Sequence, residues 1–316
     1  MTDHSNSEPP QFDFQGEIRE SDLFAREFPA ILEGPSEIWL FTKSVIDHGS
    51  HILETLPLRS TRALRDSVSS ALLRRALVTA ESVRHLFAKG LQESGFSLVR
   101  ILLEIRVTLQ LVTGDSKDIM ASRLAAFHYL AAQRYGTSVL KDDTSRVRLQ
   151  SSPEWFGYTK SQTKAFKEYF SSPGFDEVRE AVKTSQHWHG FPNVEDAFAA
   201  VGAQDDYRRM YALLSPFVHV TNLDFDFLDI RNGNLILKPL TQREPSRLLP
   251  QLATMVITLL EVLELYVHDR DYENYPANVR TTGADGSVED VHPLSVLQYR
   301  ATKMFNPWLV LGPTTS

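Results

Sequence analysis

The chain has 316 residues, of which 42% are hydrophobic and 23% charged, and it contains no cysteine. This ordinary globular composition excludes collagen-like, disordered and disulfide-stapled proteins, and the missing thiols exclude cysteine nucleophiles and cysteine-based metal sites. Lys and Arg number 33 against 40 Asp and Glu, so the formal charge is -7 and there is no strong nucleic-acid signature. A cysteine-free chain fits an intracellular setting, and we expect a cytoplasmic protein.

Residues 1–10 are polar and acidic and have no apolar run, so we expect neither a signal peptide nor a transit peptide, and we expect residues 1–35 to be a flexible N-terminal segment. A helical period of apolar residues begins at Ile38 and ends before Pro57. The helix over residues 94–112 is the most apolar and is therefore expected at the centre of the fold. The helical period of apolar residues also predicts helices over residues 60–90, 94–112, 117–135, 161–169, 175–184, 195–201 and 205–220.

Asn232-Gly233 stands between two apolar runs and indicates a β-hairpin, because both central residues of a tight turn need positive φ. We therefore predict a small hairpin near residues 224–238, followed by a long helix over 246–266 and a tail over 269–316. Because no strong linker interrupts them, residues 36–268 are predicted to form one helical domain. The predicted fold class is all-α, an irregular multi-helix bundle with one small hairpin.

Two segments, residues 96–112 and 248–267, are apolar enough to raise the question of a membrane. Each carries charged residues, and a charge near the centre of a bilayer costs several kcal/mol. Both segments are therefore predicted to be buried helices of a protein without membrane association. The second is also a candidate apolar face for a homodimer.

Arginine is concentrated in and just before the helix predicted over residues 60–90, where Asp66 and Glu81 are the acids. A solvated helix face explains such a run, and an anion-binding surface is the alternative. The run consists of Arg59, Arg62, Arg65, Arg74, Arg75 and Arg84.

Arg100 and Glu104 are four residues apart and share one face of a helix whose other faces are nearly all apolar. Charges on a central helix must be paired or hydrogen-bonded. An internal ion pair that fixes helix packing accounts for them. The alternative is a functional pair, with Glu104 as a base or ligand and Arg100 as a clamp for an anion.

Tyr207, Tyr211, Ser215 and His219 recur every four residues and form a polar stripe on the helix predicted over 205–220. A layer of Tyr and His hydrogen-bonded across a helical core is one explanation, and a catalytic set is the other. Ser and His at this spacing can touch, but a nucleophile also needs an orienting acid and an oxyanion hole, and no sequence pattern indicates either. Whether the protein is an enzyme therefore stays open.

His187, Trp188 and His189 form a third candidate, for ligand binding. The two His point the same way in an extended segment, which Gly190 and Pro192 favour. The two His could bind a metal if a carboxylate joined them as a third ligand. The sequence has no His-Glu-x-x-His pattern, so no metal is predicted. It also lacks closely spaced glycines that would cradle a phosphate, so no cofactor is predicted.

Arg123 and His128 match the Arg, four to six residues, His spacing of the ribonucleases with the higher eukaryote and prokaryote nucleotide-binding helical fold. With ten His in the chain, about two matches are expected by chance, so the match by itself is no evidence.

The order and spacing of these motifs resemble a widespread, mainly bacterial family of domains of unknown function. Its pattern is a helix with Arg-x-x-x-Glu, a Trp-containing loop before a short helix, and a helix with Tyr-x-x-x-Tyr-x-x-Leu-Ser-x-x-x-His. The resemblance covers approximately residues 40 to 268, implies an all-α fold and implies no established activity. The motif positions are Arg100, Glu104, Trp188, Tyr211, Ser215 and His219.

These observations give the hypothesis that the helix of Arg100 and Glu104 packs against the helix of the tyrosine stripe, so that their polar side chains meet in a semi-buried cleft. A module that binds a small polar ligand or a partner is the first functional interpretation. The alternative is a ribonuclease-like hydrolase in bacterial stress or phage defence, with His219 or His128 as acid and base.

Overall fold

The computed structural model describes the chain from residue 35 to residue 309 with gaps. The described residues are 35–56, 59, 62–88, 91–141, 164, 167–168, 171, 175–185, 187–215, 228–231, 234–237, 245–270, 279–282, 288–291 and 293–309. The segment 1–34, most of the helix predicted over 161–169, and His219 lie outside them.

Helices account for most of the described chain, and the all-α multi-helix class is confirmed. The segment α7 is α-helical at Gln204–Asp206 and Ala212–Leu214 and π-helical at Tyr207–Tyr211. The other helices are α1 (Pro35–Thr55), α2 (Ala63–Ala88), α3 (Gln92–Gly114), α4 (Ile119–Lys141), α5 (Asp176–Thr184), α6 (Val194–Ala200), α8 (Pro245–Asp269) and α9 (Pro293–Leu309).

The core is built where α2, α3 and α8 pack against one another, with α1 alongside. Buried residues on α2 and α8 recur at alternating three- and four-residue spacing, which places one apolar stripe of each helix against its neighbours. The stripes are Leu73, Ala76, Ala80, Val83 and Phe87 on α2, and Leu252, Val256, Leu259, Leu263 and Tyr266 on α8. The expectation that the 94–112 helix is central is confirmed, because α3 packs against both.

The candidate homodimer face, residues 248–267, is largely buried where its side chains are described, and a homodimer stays a prediction. This stretch belongs to α8, whose apolar side is covered by α2, α3 and α9 of the same chain. Among the described residues, Pro250–Asp269 is long and apolar enough to cross a membrane by length and composition, but 67% of it is buried inside the protein. Burial within the fold explains its apolar composition.

Part of the predicted tail is a helix of the core. Leu294, Ala301 and Phe305 of α9 are buried against α8, and the ring of Phe305 lies 6.5 Å from that of Phe41. This helix was predicted as part of a tail because Pro and Gly residues are frequent in the segment that precedes it. The domain boundaries proposed from the sequence stay a prediction.

Two antiparallel strand pairs accompany the helices. Strands β1 (Leu228–Arg231) and β2 (Asn234–Leu237) pair Leu228 with Leu237 and lie in the segment for which we predicted a hairpin. The tight turn at residues 232–233 lies outside the described residues, so the hairpin with its Asn-Gly turn stays a prediction. Strands β3 (Val279–Thr282) and β4 (Val288–Val291) form the second pair.

Arg106 fixes the position of α7 against the core. Its Nη1 donates to Glu261 of α8 at 2.7 Å, and its Nη2 donates to Asp206 of α7 at the same distance. Burial would lower the pKa of Arg106, but the two carboxylates outweigh that effect and raise it. One planar guanidinium thereby holds three helices together.

Candidate functional site

Three of the six predicted cleft residues meet where α3 packs against α7. Arg100 Nη2 donates a 2.5 Å hydrogen bond to the Tyr211 hydroxyl, which donates in turn to Glu104 Oε1 at 2.8 Å. Arg100 Nη2 also lies 3.3 Å from Glu104 Oε1, and the guanidinium carbon lies 4.5 Å from the centre of the Tyr211 ring. We call Arg100, Glu104 and Tyr211 the polar triad.

The π-helical turn of α7 shapes the Tyr211 side of this contact. The backbone N–H of Ala212 donates to the carbonyl of Tyr207, five residues back, which widens the turn. Tyr207 and Tyr211 consequently stack with ring centres 5.1 Å apart and planes 20° apart, and both rings contact Phe198 of α6. The buried Tyr211 ring is thus wedged between Tyr207 and Arg100.

The electrostatics of the polar triad keep Tyr211 protonated. Burial raises the pKa of Tyr211 to about 12, the negative charge of Glu104 adds to the rise, and Arg100 opposes it. At neutral pH the hydroxyl is therefore a fixed hydrogen-bond donor to Glu104 and is unsuited to act as a general base.

Arg100 has hydrogen-bonding capacity left over. Its side chain is 14% exposed, and its Nε and Nη1 atoms are buried without a hydrogen-bond partner in the described part of the chain. An unpaired buried donor costs about 1–3 kcal/mol. Glu104 next to it is 41% exposed, so the polar triad opens to solvent on the carboxylate side.

The other members of the tyrosine stripe do not join the polar triad. The Ser215 hydroxyl donates to the backbone carbonyl of Tyr211 at 2.8 Å, a common arrangement for serine in a helix. Tyr207 contributes its ring, and its hydroxyl has no hydrogen bond to any described residue. His219 lies outside the described residues, so its part in the cleft stays a prediction.

The His187-Trp188-His189 segment is a compact turn. The Gly190 N–H donates to the His187 carbonyl at 3.1 Å, and the two imidazole rings stack at 5.1 Å. Gly190 has a φ of +79°, a conformation that other residues rarely adopt. The extended conformation expected from the sequence is therefore wrong, because the chain reverses at this glycine.

Trp188 and His189 of this turn point toward the protein interior. Trp188 packs against the core, and His189 is 7% exposed with its Nδ1 accepting a hydrogen bond from the Phe191 N–H. Burial lowers the pKa of His189 to about 4, with smaller contributions from His187 and Arg123. Among the described residues, no group of three His, Cys, Asp or Glu could hold a metal ion.

Arg123 of α4 anchors the turn. Its Nε donates to the Trp188 carbonyl at 3.2 Å, and its guanidinium lies against Gly190 where a side chain would project. His128 lies five residues further along α4, about 140° away around the helix, so the two do not share a face. Burial and the charge of Arg75 lower the pKa of His128. No contact among the described residues favours the hydrolase alternative, which stays a prediction.

The sequence analysis missed a buried network of arginines and aspartates at the other end of α3. Asp66 is fully buried and accepts hydrogen bonds from the backbone N–H and the Nη2 of Arg59, at 2.6 and 2.7 Å. Arg270 Nη1 lies 2.6 Å from the same carboxylate. Burial would raise the pKa of Asp66, but the hydrogen bonds from Arg59 and the charge of Arg270 outweigh it and lower the pKa.

The network continues through Asp269. Its carboxylate pairs with Arg59 at 3.2 Å and with Arg65, which also contacts Asp118 at 3.3 Å. These charges come from four separate stretches of chain, so no local motif could have revealed them. Part of the arginine-rich run is therefore buried and ion-paired and is not a solvated helix face.

A cleft of about 650 Å³ opens beside this network. Arg59 and Arg65 line it together with Arg62, which stands just before α2. Residues of α3 and α8, among them Gln110, Thr113 and His268, complete the wall. The sequence indicated the arginines, but it could not indicate that α3 and α8 enclose them.

One family model matches residues 66–235, and its description is a family of unknown function, DUF5677. The matched range contains the polar triad and the turn at Trp188, whereas Arg59, Arg62 and Arg65 lie just before it. No curated protein and no solved structure matches the chain.

Proposed function

The chain belongs to DUF5677, a family of unknown function, and we propose that it is a binding module for a small polar ligand, which the polar triad of Arg100, Glu104 and Tyr211 recognises. The observation that carries this proposal is the pair of buried Arg100 nitrogen atoms, Nε and Nη1, which have no hydrogen-bond partner among the described residues and lie beside the half-exposed carboxylate of Glu104. Native proteins pair nearly all buried donors. A bound molecule supplies the missing acceptor.

The chemistry of the polar triad defines the ligand. Arg100 requires an acceptor, preferably an anionic one such as a carboxylate, because hydrogen bonds between two charged groups are the stronger ones. Glu104 lies beside it and accepts a donor such as an ammonium or amide group. A small zwitterion or amide, with its charged or polar ends a few ångströms apart, satisfies both; a free amino acid is the simplest example.

A binding role is favoured over catalysis by what surrounds the polar triad. Tyr211 is held as a donor by its raised pKa, and the Ser215 hydroxyl is engaged by the backbone. A cytoplasmic location is an expectation from the cysteine-free sequence. A bacterial origin is an expectation from the resemblance.

The proposal is tested by a ligand-observed nuclear magnetic resonance screen of the purified protein against free amino acids and their amides. Bound compounds are then titrated into three variants. Arg100→Gln and Glu104→Gln remove a charge from the polar triad, and Glu54→Gln removes one from an exposed position with no described contact.

At least one compound is expected to bind the wild-type chain and Glu54→Gln equally, and to bind Arg100→Gln and Glu104→Gln about tenfold more weakly or worse. A screen without any bound compound, or one whose ligands bind all four proteins alike, contradicts the proposal.

A further inference from the structure

We propose that the cleft beside the arginine–aspartate network is a second binding site, which holds the oxyanion group of a small organic ligand against Arg62. This inference does not depend on the function of the polar triad. The cleft lies at the C-terminal end of α3, about 15 Å along the helix from Glu104.

The charges around the cleft do not cancel. Three arginines of the network, Arg59, Arg65 and Arg270, are matched by three carboxylates of Asp66, Asp269 and Asp118. Arg62 stands outside this balance: its guanidinium pairs with no carboxylate and makes no hydrogen bond among the described residues. Among the described residues that line the cleft, Arg62 is therefore the arginine whose positive charge no carboxylate offsets.

The network holds the neighbouring positive groups rigidly. Arg65 is 4% exposed and is fixed by Asp118, Asp269 and the backbone carbonyls of Thr113 and Asp115. Its Nε is buried and has no hydrogen-bond partner among the described residues. Because the guanidinium of Arg65 is already held in place beside Arg62, little side-chain entropy is lost when an anion binds, and the free-energy cost of binding is lower.

The size and lining of the cleft indicate an organic molecule that carries the anion. A volume of about 650 Å³ lies within the range of ordinary small-molecule sites and far exceeds a single phosphate or carboxylate. Gln110 and Thr113 offer polar contacts, and Leu265 offers an apolar one for the remainder of such a ligand. His268 lies on the α8 side of the opening.

A nucleic acid is the less favoured occupant. Binding of a polyanion needs several phosphate contacts from unpaired cations, and the cleft presents one unpaired arginine among the described residues. The whole chain carries a charge of -7, which repels a long anionic strand.

The test measures the thermal unfolding midpoint of the full chain against increasing inorganic phosphate and, separately, acetate, with chloride added so that the ionic strength stays constant. The variant is Arg62→Gln. The matched control is Arg74→Gln, which removes the same charge at an exposed position of α2, about 18 Å along the helix axis from Arg62. A single-stranded RNA forms a third arm.

We expect a saturable rise of the midpoint with phosphate, acetate or both in the wild-type chain and in Arg74→Gln, and a dissociation constant at least about tenfold higher in Arg62→Gln. The anion with the larger effect identifies the head group as phosphate or carboxylate. The proposal is overturned if neither anion gives a saturable rise, if Arg62→Gln responds like the wild type, or if RNA binds more tightly than both anions and Arg62→Gln and Arg74→Gln weaken it equally.

Discussion

The Tyr211 hydroxyl donates a 2.8 Å hydrogen bond to the carboxylate of Glu104, which lies 107 positions earlier in the chain. The same hydroxyl accepts from Arg100, so one phenol oxygen joins α7 to both charges of an i,i+4 pair on α3. Because burial and Glu104 raise the pKa of Tyr211 to about 12, the hydroxyl is expected to stay protonated and to donate to Glu104 well above neutral pH.

Removal of this hydroxyl should cost stability. Tyr211→Phe is expected to lower the free energy of unfolding by about 1–2 kcal/mol, because both charged partners lose a buried hydrogen bond. Tyr207→Phe is the control, since its hydroxyl bonds to no described residue, and it should change stability by less than about 0.5 kcal/mol. Urea unfolding of the two variants measures the difference, and equal losses would count against the assignment.

Asp66 should be the most sensitive carboxylate of the buried network. Asp66→Asn removes the carboxylate that pairs with the buried Arg270 and one of the two that pair with Arg59, and it is expected to cost about 3–5 kcal/mol. The equivalent change at Asp47, whose carboxylate pairs with Lys43 at the surface, should cost less than about 1 kcal/mol. Chemical denaturation at neutral pH compares them, and similar values would show that the network contributes little.

His189 should make the protein less stable in mild acid. Its pKa is about 4 in the folded chain and 6.5 in the unfolded chain, so between these values the unfolded state binds more protons. Stability is therefore expected to fall as the pH is lowered from 6.5 to 4, by up to about 3 kcal/mol from this residue.

His189→Asn keeps an acceptor for the Phe191 N–H and removes the titrating ring. Its unfolding free energy should depend less steeply on pH in this window, with a residual slope from His128, whose pKa is also lowered. Denaturation curves at several pH values provide the test. A slope as steep as that of the wild type would assign the acid sensitivity to other groups.

Gly190 and Gly202 form a natural pair for a test of the Arg123 anchor. Both have positive φ, at +79° and +74°, so alanine is strained at either position. A side chain at Gly190 would in addition collide with the guanidinium of Arg123, whereas the space at Gly202 is open. We expect Gly202→Ala to cost about 1 kcal/mol and Gly190→Ala about 1–2 kcal/mol more. Thermal unfolding of both variants measures the two losses of stability. Equal losses would mean that the contact with Arg123 does not constrain the turn.

The sequence by itself determined the helical architecture and the polar triad. Apolar residues at three- and four-residue spacing define α1, α2, α3 and α8, because a helix must bury one stripe in order to be stable. Arg100 and Glu104 could be expected to meet a polar partner for a related reason: charges on a buried helix must be paired, and the tyrosine stripe was the matching polar surface. Tyr211 is that partner.

Tertiary structure alone decided how charges distant in the chain come together. Arg270 donates to the backbone carbonyl of Asp66 across 204 positions, and Arg65 reaches Asp269 across the same separation. Pairings of this kind depend on how whole helices pack, and helical periodicity carries no information about which charges will face each other. For the same reason the sequence showed the run of arginines but not that Asp66, Asp118 and Asp269 neutralise part of it. Nor did it show that Arg62 stands beside a cleft with no ion-pair partner in the described part of the chain.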